Sequence, residues 1–162
     1  MSIRTIAVLG AGLMGRGIAY VSAVGGYDTI LQDPDREQTQ KAMREIDATL
    51  QKGVDLGKIT DAEAIDARKR IALVDGLDEA AKTADLVIEA APEKMDVKIE
   101  IFAKLDELAP KHAILASNTS SMSITEMAAA TARAPQVVGM HFFNPVPRMK
   151  LLEVVRALET SD

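Results

Sequence analysis

The sequence predicts an α/β fold built on a doubly wound, mainly parallel sheet, and three observations predict it. Short apolar runs alternate with longer segments of helical period along all 162 residues. The first apolar run, Ile6-Ala7-Val8-Leu9, empties into Gly10-Ala11-Gly12-Leu13-Met14-Gly15. A later run, Ile30-Leu31-Gln32, ends on an acid, Asp33.

Taken in order, the strands are expected at 4–9, 28–32, 70–74, 85–90, 113–117 and 136–141, with a last one at 150–155. Leu13 to Val24 suits a helix, and Gly25-Gly26 ends it. The stretch 35–68 is longer than one crossover helix needs. Gly53 and Gly57 interrupt it, and Thr60 with Glu63 three residues on starts a second helix as a capping box. The expected shape is a helical hairpin projecting from the sheet. Pro92 and Glu93 open another helix, which runs to Leu108 and stops before Pro110. Ser117-Asn118-Thr119-Ser120-Ser121 leaves a strand and enters a helix near Ser123, with Glu126 forming a second capping box. The Ala-rich piece 128–134 reads as that helix fraying out.

The bulk numbers describe one domain with a real core: 48% of residues are apolar and 27% charged. A net charge of −5 without a basic cluster argues against nucleic acid or an anionic membrane as partner. No apolar run approaches a membrane span, and Met1 to Thr5 leads straight into the first strand without a signal peptide. With no cysteine there is neither a disulfide framework nor a thiolate metal site, and no metal is expected. A cytoplasmic location is the default expectation.

The glycine turn has a specific physical reading. Gly10 permits the tight strand-to-helix turn, Gly12 lets backbone close on a pyrophosphate, and Gly15 lets the helix lie close to the strand. The helix start, from Ala11 through Leu13 and Met14, offers free N–H groups and the positive end of its dipole. Asp33 falls where a carboxylate accepts hydrogen bonds from both hydroxyls of an adenosine ribose. A carboxylate there repels a 2′-phosphate, so NAD is favoured over NADP. Arg36 lies nearby and is expected on the solvated face of the next helix. The fold is thus Rossmann-type.

In such a sheet, ligands sit beyond the carboxyl ends of the strands. The Asn118–Ser121 run, His141 and the Asn144-Pro145 loop collect there. Glu153 interrupts the apolar run Leu151-Leu152-Glu153-Val154-Val155, where an unpaired carboxylate is costly to bury. If 137–142 and 150–155 pair antiparallel about the proline turn, residues 141 and 153 face each other with Cβ atoms about 5 Å apart. A Glu beside a His fixes the imidazole tautomer, as a general base needs. The alternative leaves Glu153 facing solvent on a one-sided strand. His112, in a polar turn, has no expected role.

Together these motifs resemble the NAD-dependent L-3-hydroxyacyl-CoA dehydrogenases of fatty-acid β-oxidation and butanoate metabolism. The resemblance spans the chain as that family's N-terminal NAD-binding domain, 1–162. It is carried by the glycine turn, Glu89-Ala90-Ala91-Pro92-Glu93, Ser117-Asn118-Thr119-Ser120-Ser121, His141-Phe142-Phe143-Asn144-Pro145-Val146-Pro147 and Leu151-Leu152-Glu153-Val154. It implies that His141 acts as general base on the 3-hydroxyl while a hydride passes to NAD. It implies that Glu153 orients His141 and that Ser120 hydrogen-bonds the reacting oxygen. Glu93, Lys98, Ser120 and Asn144 are implied as further cofactor contacts, with Ser120 and Asn144 also meeting substrate. The family carries a second, helical domain that closes over the acyl-CoA and forms a homodimer, and none of it is in this chain. Where the family's hairpin often meets CoA with lysines, Lys52 and Lys58 are the nearest candidates. Two other readings remain open: a sugar-acid 3-dehydrogenase of the same fold, and a non-catalytic NAD-binding module.

Overall fold

The computed structural model, which describes residues 2–162, arranges seven strands in one sheet. They are β1 (Thr5–Leu9), β2 (Asp28–Gln32), β3 (Ile71–Val74), β4 (Leu86–Glu89), β5 (Ile114–Ser117), β6 (Val137–Phe142) and β7 (Leu152–Arg156). Their spatial order is β3-β2-β1-β4-β5-β6-β7, with β1 to β6 parallel and β7 antiparallel to β6. The chain winds outward from β1 to β3, then returns to lay β4 on the other side of β1. That reversal opens a crevice beyond the carboxyl ends of β1 and β4.

Helices cover both faces. α1 (Leu13–Val24), α2 (Arg36–Asp55) and α3 (Asp61–Lys69) pack on one core, where Ile18, Ala19, Met43, Ile46 and Leu50 meet Ile6, Val8, Leu31 and Ile88. α4 (Leu77–Ala81), α5 (Met95–Leu108) and α6 (Ile124–Ala128) cover the other. There Phe102, Leu105 and Met127 meet Ala7, Leu9, Val87 and Leu115. β4 is buried along its whole length, as a central parallel strand with helices on both faces must be.

The hairpin over 35–68 forms, with one correction. Gly53 does not interrupt α2. The helix runs through it for 20 residues, because Gly53 is buried against Ile59, where a β-carbon would sit 3.1 Å from the Ile59 side chain. Gly57, in the left-handed region at φ +64°, makes the turn. A 20-residue helix is about 30 Å long and a five-residue strand about 17 Å, so α2 overruns the sheet. Thr60 and Glu63 form the expected capping box, at 2.7 and 3.2 Å.

Three further differences have local causes. α4 has no counterpart among the expected elements; it is one short turn whose Ala80 and Ala81 fill the core between strands. α5 starts at Met95 with Lys94 as its cap, so Pro92 and Glu93 lie in the preceding loop. The segment after α6 does not fray as helix. Arg133 folds in to donate to the carbonyls of Asp106, Ala109 and Pro110 at the end of α5, and a 3₁₀ turn (Ala134–Gln136) follows. Ser123 caps α6 through the Glu126 N–H at 3.2 Å, which is the half of the second capping box that forms. None of the described helices is long and apolar enough to cross a membrane.

His112 has a role that the pattern does not reveal. Its Nε2 lies 2.9 Å from Asp85 Oδ1, while Asp85 Oδ2 accepts the Arg4 and Thr5 N–H groups at 2.8 and 3.0 Å. Asp85 therefore clamps the amino ends of β1, β4 and β5. The Thr5 and Arg4 N–H groups, then His112, hold its carboxyl at about 2, below its ordinary value of 3.8. A depressed native value gives stability that is complete above about pH 4 and lost as pH falls toward 2. Asp85→Asn is expected to flatten the fall in Tm between pH 4 and 2. An unchanged acid slope in the variant would assign that sensitivity to other carboxylates.

Candidate functional site

The glycine turn contains two kinds of glycine. Gly10 (φ +93°) and Gly15 are required by the protein itself: a β-carbon on Gly10 would lie 2.6 Å from the Ala90 carbonyl oxygen, and one on Gly15 would lie 1.7 Å from that of Gly10. Gly12 is different. A β-carbon there meets nothing within 4 Å, so the space beside it is open. Gly12 is also the N-cap of α1, and no side chain caps that helix. The turn is therefore a cradle with its amides and dipole directed outward, suited to a pyrophosphate.

Asp33 stands at the end of β2 with both carboxylate oxygens fixed. Oδ2 accepts the Ala11 N–H at 2.9 Å and Oδ1 the Asp35 N–H at 3.0 Å. Lone pairs remain on each oxygen, so the pose suits a vicinal diol. A cleft of about 590 Å³ opens beside it, lined by Gly10, Asp33 and Gln38 and by the apolar Leu77, Pro92, Val97 and Ile101. A flat aromatic base fits such walls, with its sugar on the acid. Arg36 is exposed at the first turn of α2.

Beyond β4 and β5 lies a dense polar cluster. Glu89 is fully buried and Lys98 is 1% exposed; their charges meet at 2.7 and 2.9 Å. Lys98 also lies 3.2 Å from Glu93, whose carboxylate accepts a hydrogen bond from the Thr119 hydroxyl. Burial opposes ionisation of Glu93, but Thr119, Lys98 and the Ser120 N–H outweigh it and hold its carboxyl below the usual range. Ser120 itself is exposed, on the loop that this cluster anchors. Asn118 Oδ1 accepts the Phe142 N–H at 2.9 Å, tying that loop to the end of β6.

His141 and Glu153 face each other across the β6–β7 ladder, with Nδ1 2.8 Å from Glu153 Oε2. The antiparallel register carries this contact; burial does not, because Glu153 remains 52% exposed on a strand that is exposed throughout. His141 is more sheltered, at 19%, with the Phe143 ring 4.4 Å from its own. Nδ1 donates to the carboxylate, leaving the Nε2 lone pair for a proton.

Asn144 is exposed and lines a groove of about 160 Å³ with Arg16, Tyr20, Thr49 and Pro147. Lys52 and Lys58 meet in the adjoining groove, of about 250 Å³, where Arg148 joins them. Arg16 and Arg148 are not singled out from the sequence, and Glu89 and Thr119 stand within the motifs that carry the resemblance, without a role of their own. For Glu89 a signal was present: an acid closing the apolar run Leu86-Val87-Ile88.

Comparison with known proteins decides the family. The family model described as "3-hydroxyacyl-CoA dehydrogenase, NAD binding domain" matches residues 5–162. The chain belongs to the 3-hydroxyacyl-CoA dehydrogenase family. A probable 3-hydroxybutyryl-CoA dehydrogenase of Bacillus subtilis is 46% identical over the whole chain, which covers 56% of that protein. The mitochondrial hydroxyacyl-coenzyme A dehydrogenase of Sus scrofa is 40% identical over 98% of this chain and 52% of its own length. The crystal structure of (S)-3-hydroxybutyryl-CoA dehydrogenase from Ralstonia eutropha superposes with a TM-score of 0.95 at 43% identity, covering 99% of this chain and 56% of that one. The chain spans about half the length of the curated relatives it matches, and the match is to the family's NAD-binding domain.

The two kinds of glycine separate fold from cofactor. Gly15→Ala is expected to cost about 3 kcal/mol or more, since a backbone carbonyl must move. Gly12→Ala is expected to change stability by about 1 kcal/mol or less while weakening NAD at least tenfold. Thermal denaturation paired with calorimetric titration checks both; equal loss of stability in the two variants would contradict the distinction.

Proposed function

We propose that this domain is the cofactor-binding and acid–base half of an enzyme that reversibly oxidises the 3-hydroxyl of L-3-hydroxyacyl-CoA to a 3-ketone. The contact that carries the reading is the His141–Glu153 pair at the carboxyl end of the sheet, at 2.8 Å. The His112–Asp85 pair at the amino end of the sheet is a structural clamp; His141–Glu153 differs in standing at the carboxyl end, where such sheets bind their ligands. The names of the relatives give the substrate class.

NAD, when bound, supplies the hydride acceptor. The chain's own residues do the rest. Backbone N–H groups at Gly12, Leu13, Met14 and Gly15 hold the pyrophosphate, and Asp33 holds the adenosine diol. Glu93 and Asn144 make further cofactor contacts, and Lys98 supports Glu93 from beneath. His141 Nε2 takes the 3-hydroxyl proton; Glu153 keeps the ring in the tautomer that can do so and offsets the positive charge that develops. Ser120 hydrogen-bonds the same oxygen, and Asn144 flanks the acyl end. Lys52 and Lys58, with Arg148, give the CoA phosphates a cationic groove. In reverse, protonated His141 polarises the 3-ketone and returns the proton. The active form is a cytoplasmic homodimer carrying the helical domain.

In the full-length enzyme, His141→Ala is expected to leave NADH affinity within about twofold. It should cut kcat on acetoacetyl-CoA by about 10²–10⁴-fold, the range for loss of a general base. Glu153→Gln should lose less, with KM for NADH unchanged. Turnover near the wild-type rate in His141→Ala would refute the role of the histidine; turnover of sugar acids in place of acyl-CoA would refute the substrate. Separately, calorimetry is expected to rank NAD well ahead of NADP, with the preference reduced in Asp33→Ala. Equal affinities in the parent protein would count against the acid as the selecting group.

A further inference from the structure

Glu89 is the most enclosed charge in the site, and no step of the proposed reaction uses it. It closes β4 with no exposure, and its partner Lys98 lies on the inward side of α5. Its carboxylate is saturated: Oε1 accepts Lys98 Nζ at 2.7 Å and the Ala91 N–H at 2.6 Å, and Oε2 accepts Lys98 Nζ at 2.9 Å and the Ser117 hydroxyl at 2.6 Å. A buried ion pair seldom adds stability over an apolar pair of similar volume. Its retention calls for a reason other than stability, and its neighbours supply one. Ser117 Oγ accepts the Thr119 N–H at 3.3 Å, and the Glu89 carbonyl accepts the Asn118 N–H at 2.8 Å. The Ala91 bond fixes the loop before Glu93. Both loops that enclose the cofactor crevice beyond β4 and β5 are therefore pinned to one residue.

We propose that Glu89 is a positioning residue for the dinucleotide: acting through Lys98 and Ser117, it sets the pose of Glu93 and of the loop that carries Ser120. Lys98 is one cation shared between a fully buried carboxylate and a half-exposed one, and that sharing leaves Glu93 able to face the crevice. With the Glu89 charge removed, the Lys98 ammonium has Glu93 as its one remaining carboxylate and draws it inward. The inference deepens the reading above, because it rests on Glu93 as a cofactor contact. The low native range of the Glu93 carboxyl agrees with a carboxylate held charged from beneath.

The test uses Glu89→Gln, Glu93→Gln and the double variant in the full-length enzyme. NADH Kd is read by fluorescence, together with KM for NADH, KM for acetoacetyl-CoA, kcat and Tm. Glu89→Gln is expected to raise NADH Kd and KM about tenfold while KM for acetoacetyl-CoA stays within twofold. The double variant should bind NADH no more weakly than the weaker single variant, since both changes break the same chain of contacts. If Glu89→Gln does not fold, Ser117→Ala removes one bond to Glu89 and is expected to raise NADH Kd two- to fivefold. An unchanged Kd in a folded variant, or losses that multiply in the double variant, would overturn the proposal and leave Glu89 with a purely structural role. Glu93→Gln with wild-type affinity would instead overturn the reading of Glu93 on which the proposal rests.

Discussion

A carboxylate and an ammonium sealed together at the ends of β4 and α5 form the constraint on which the site depends. Glu89 compels Lys98, because without it the carboxylate would be an uncompensated charge in a dry interior, and Lys98 in turn reaches Glu93. Once the pair forms, much else follows from it. Ser117 must turn its hydroxyl toward Glu89, so β5 ends in a fixed pose. The loop after β4 must bring the Ala91 N–H back onto the same carboxylate. Asn118 follows and reaches across to β6, one residue from His141. The ends of three strands and the start of one helix are thus held relative to each other by one connected set of buried and part-buried bonds.

The other half of the crevice is built by exclusion. Gly10 and Gly15 have no β-carbon because backbone oxygens occupy that space, whereas Gly12 has none although the space is empty. Gly10 lets the turn lie against the chain after β4 and Gly15 brings α1 close to β1; Gly12 leaves room for something that is not protein. Asp33 shows a similar economy. The N–H groups that orient it come from Ala11, in the turn itself, and from Asp35, at the cap of α2. The acid and the cradle are therefore placed by one set of bonds and cannot shift independently.

Much of this was legible in the sequence, for identifiable physical reasons. Alternating patterns are periodic signals, and all seven strands were found within a residue or two at each end. The His141–Glu153 contact is readable because an antiparallel pairing about the proline-containing 143–151 loop places the two residues opposite each other. The illegible parts depend on groups distant in the chain. Gly53 passes for a helix breaker until Ile59 is seen packed on it. His112 reads as an idle turn residue until Asp85 is found beside it, and 128–134 as a fraying helix until Arg133 is seen capping α5. Lys98 is implied by the resemblance as a cofactor contact, and the tertiary fold corrects this: it is sealed in beneath Glu93, paired with Glu89. Glu153 was legible for a partly mistaken reason: its partner was right, but its burial was not.

That exposure has a further consequence. β7 is hydrogen-bonded on one side only, five register pairs hold it, and all five of its residues are exposed. Edge segments of this kind open locally at a free-energy cost well below that of unfolding the whole domain. Each such opening would separate Glu153 from His141 while leaving the glycine turn, the buried ion pair and the inner strands undisturbed. The proposed cofactor contacts and the proposed acid–base pair therefore reside in parts of the molecule with different local lifetimes. On the proposed roles, the glycine turn would keep its dinucleotide through fluctuations that momentarily part His141 from Glu153, and any surface that settles on β7 would lengthen the life of that contact.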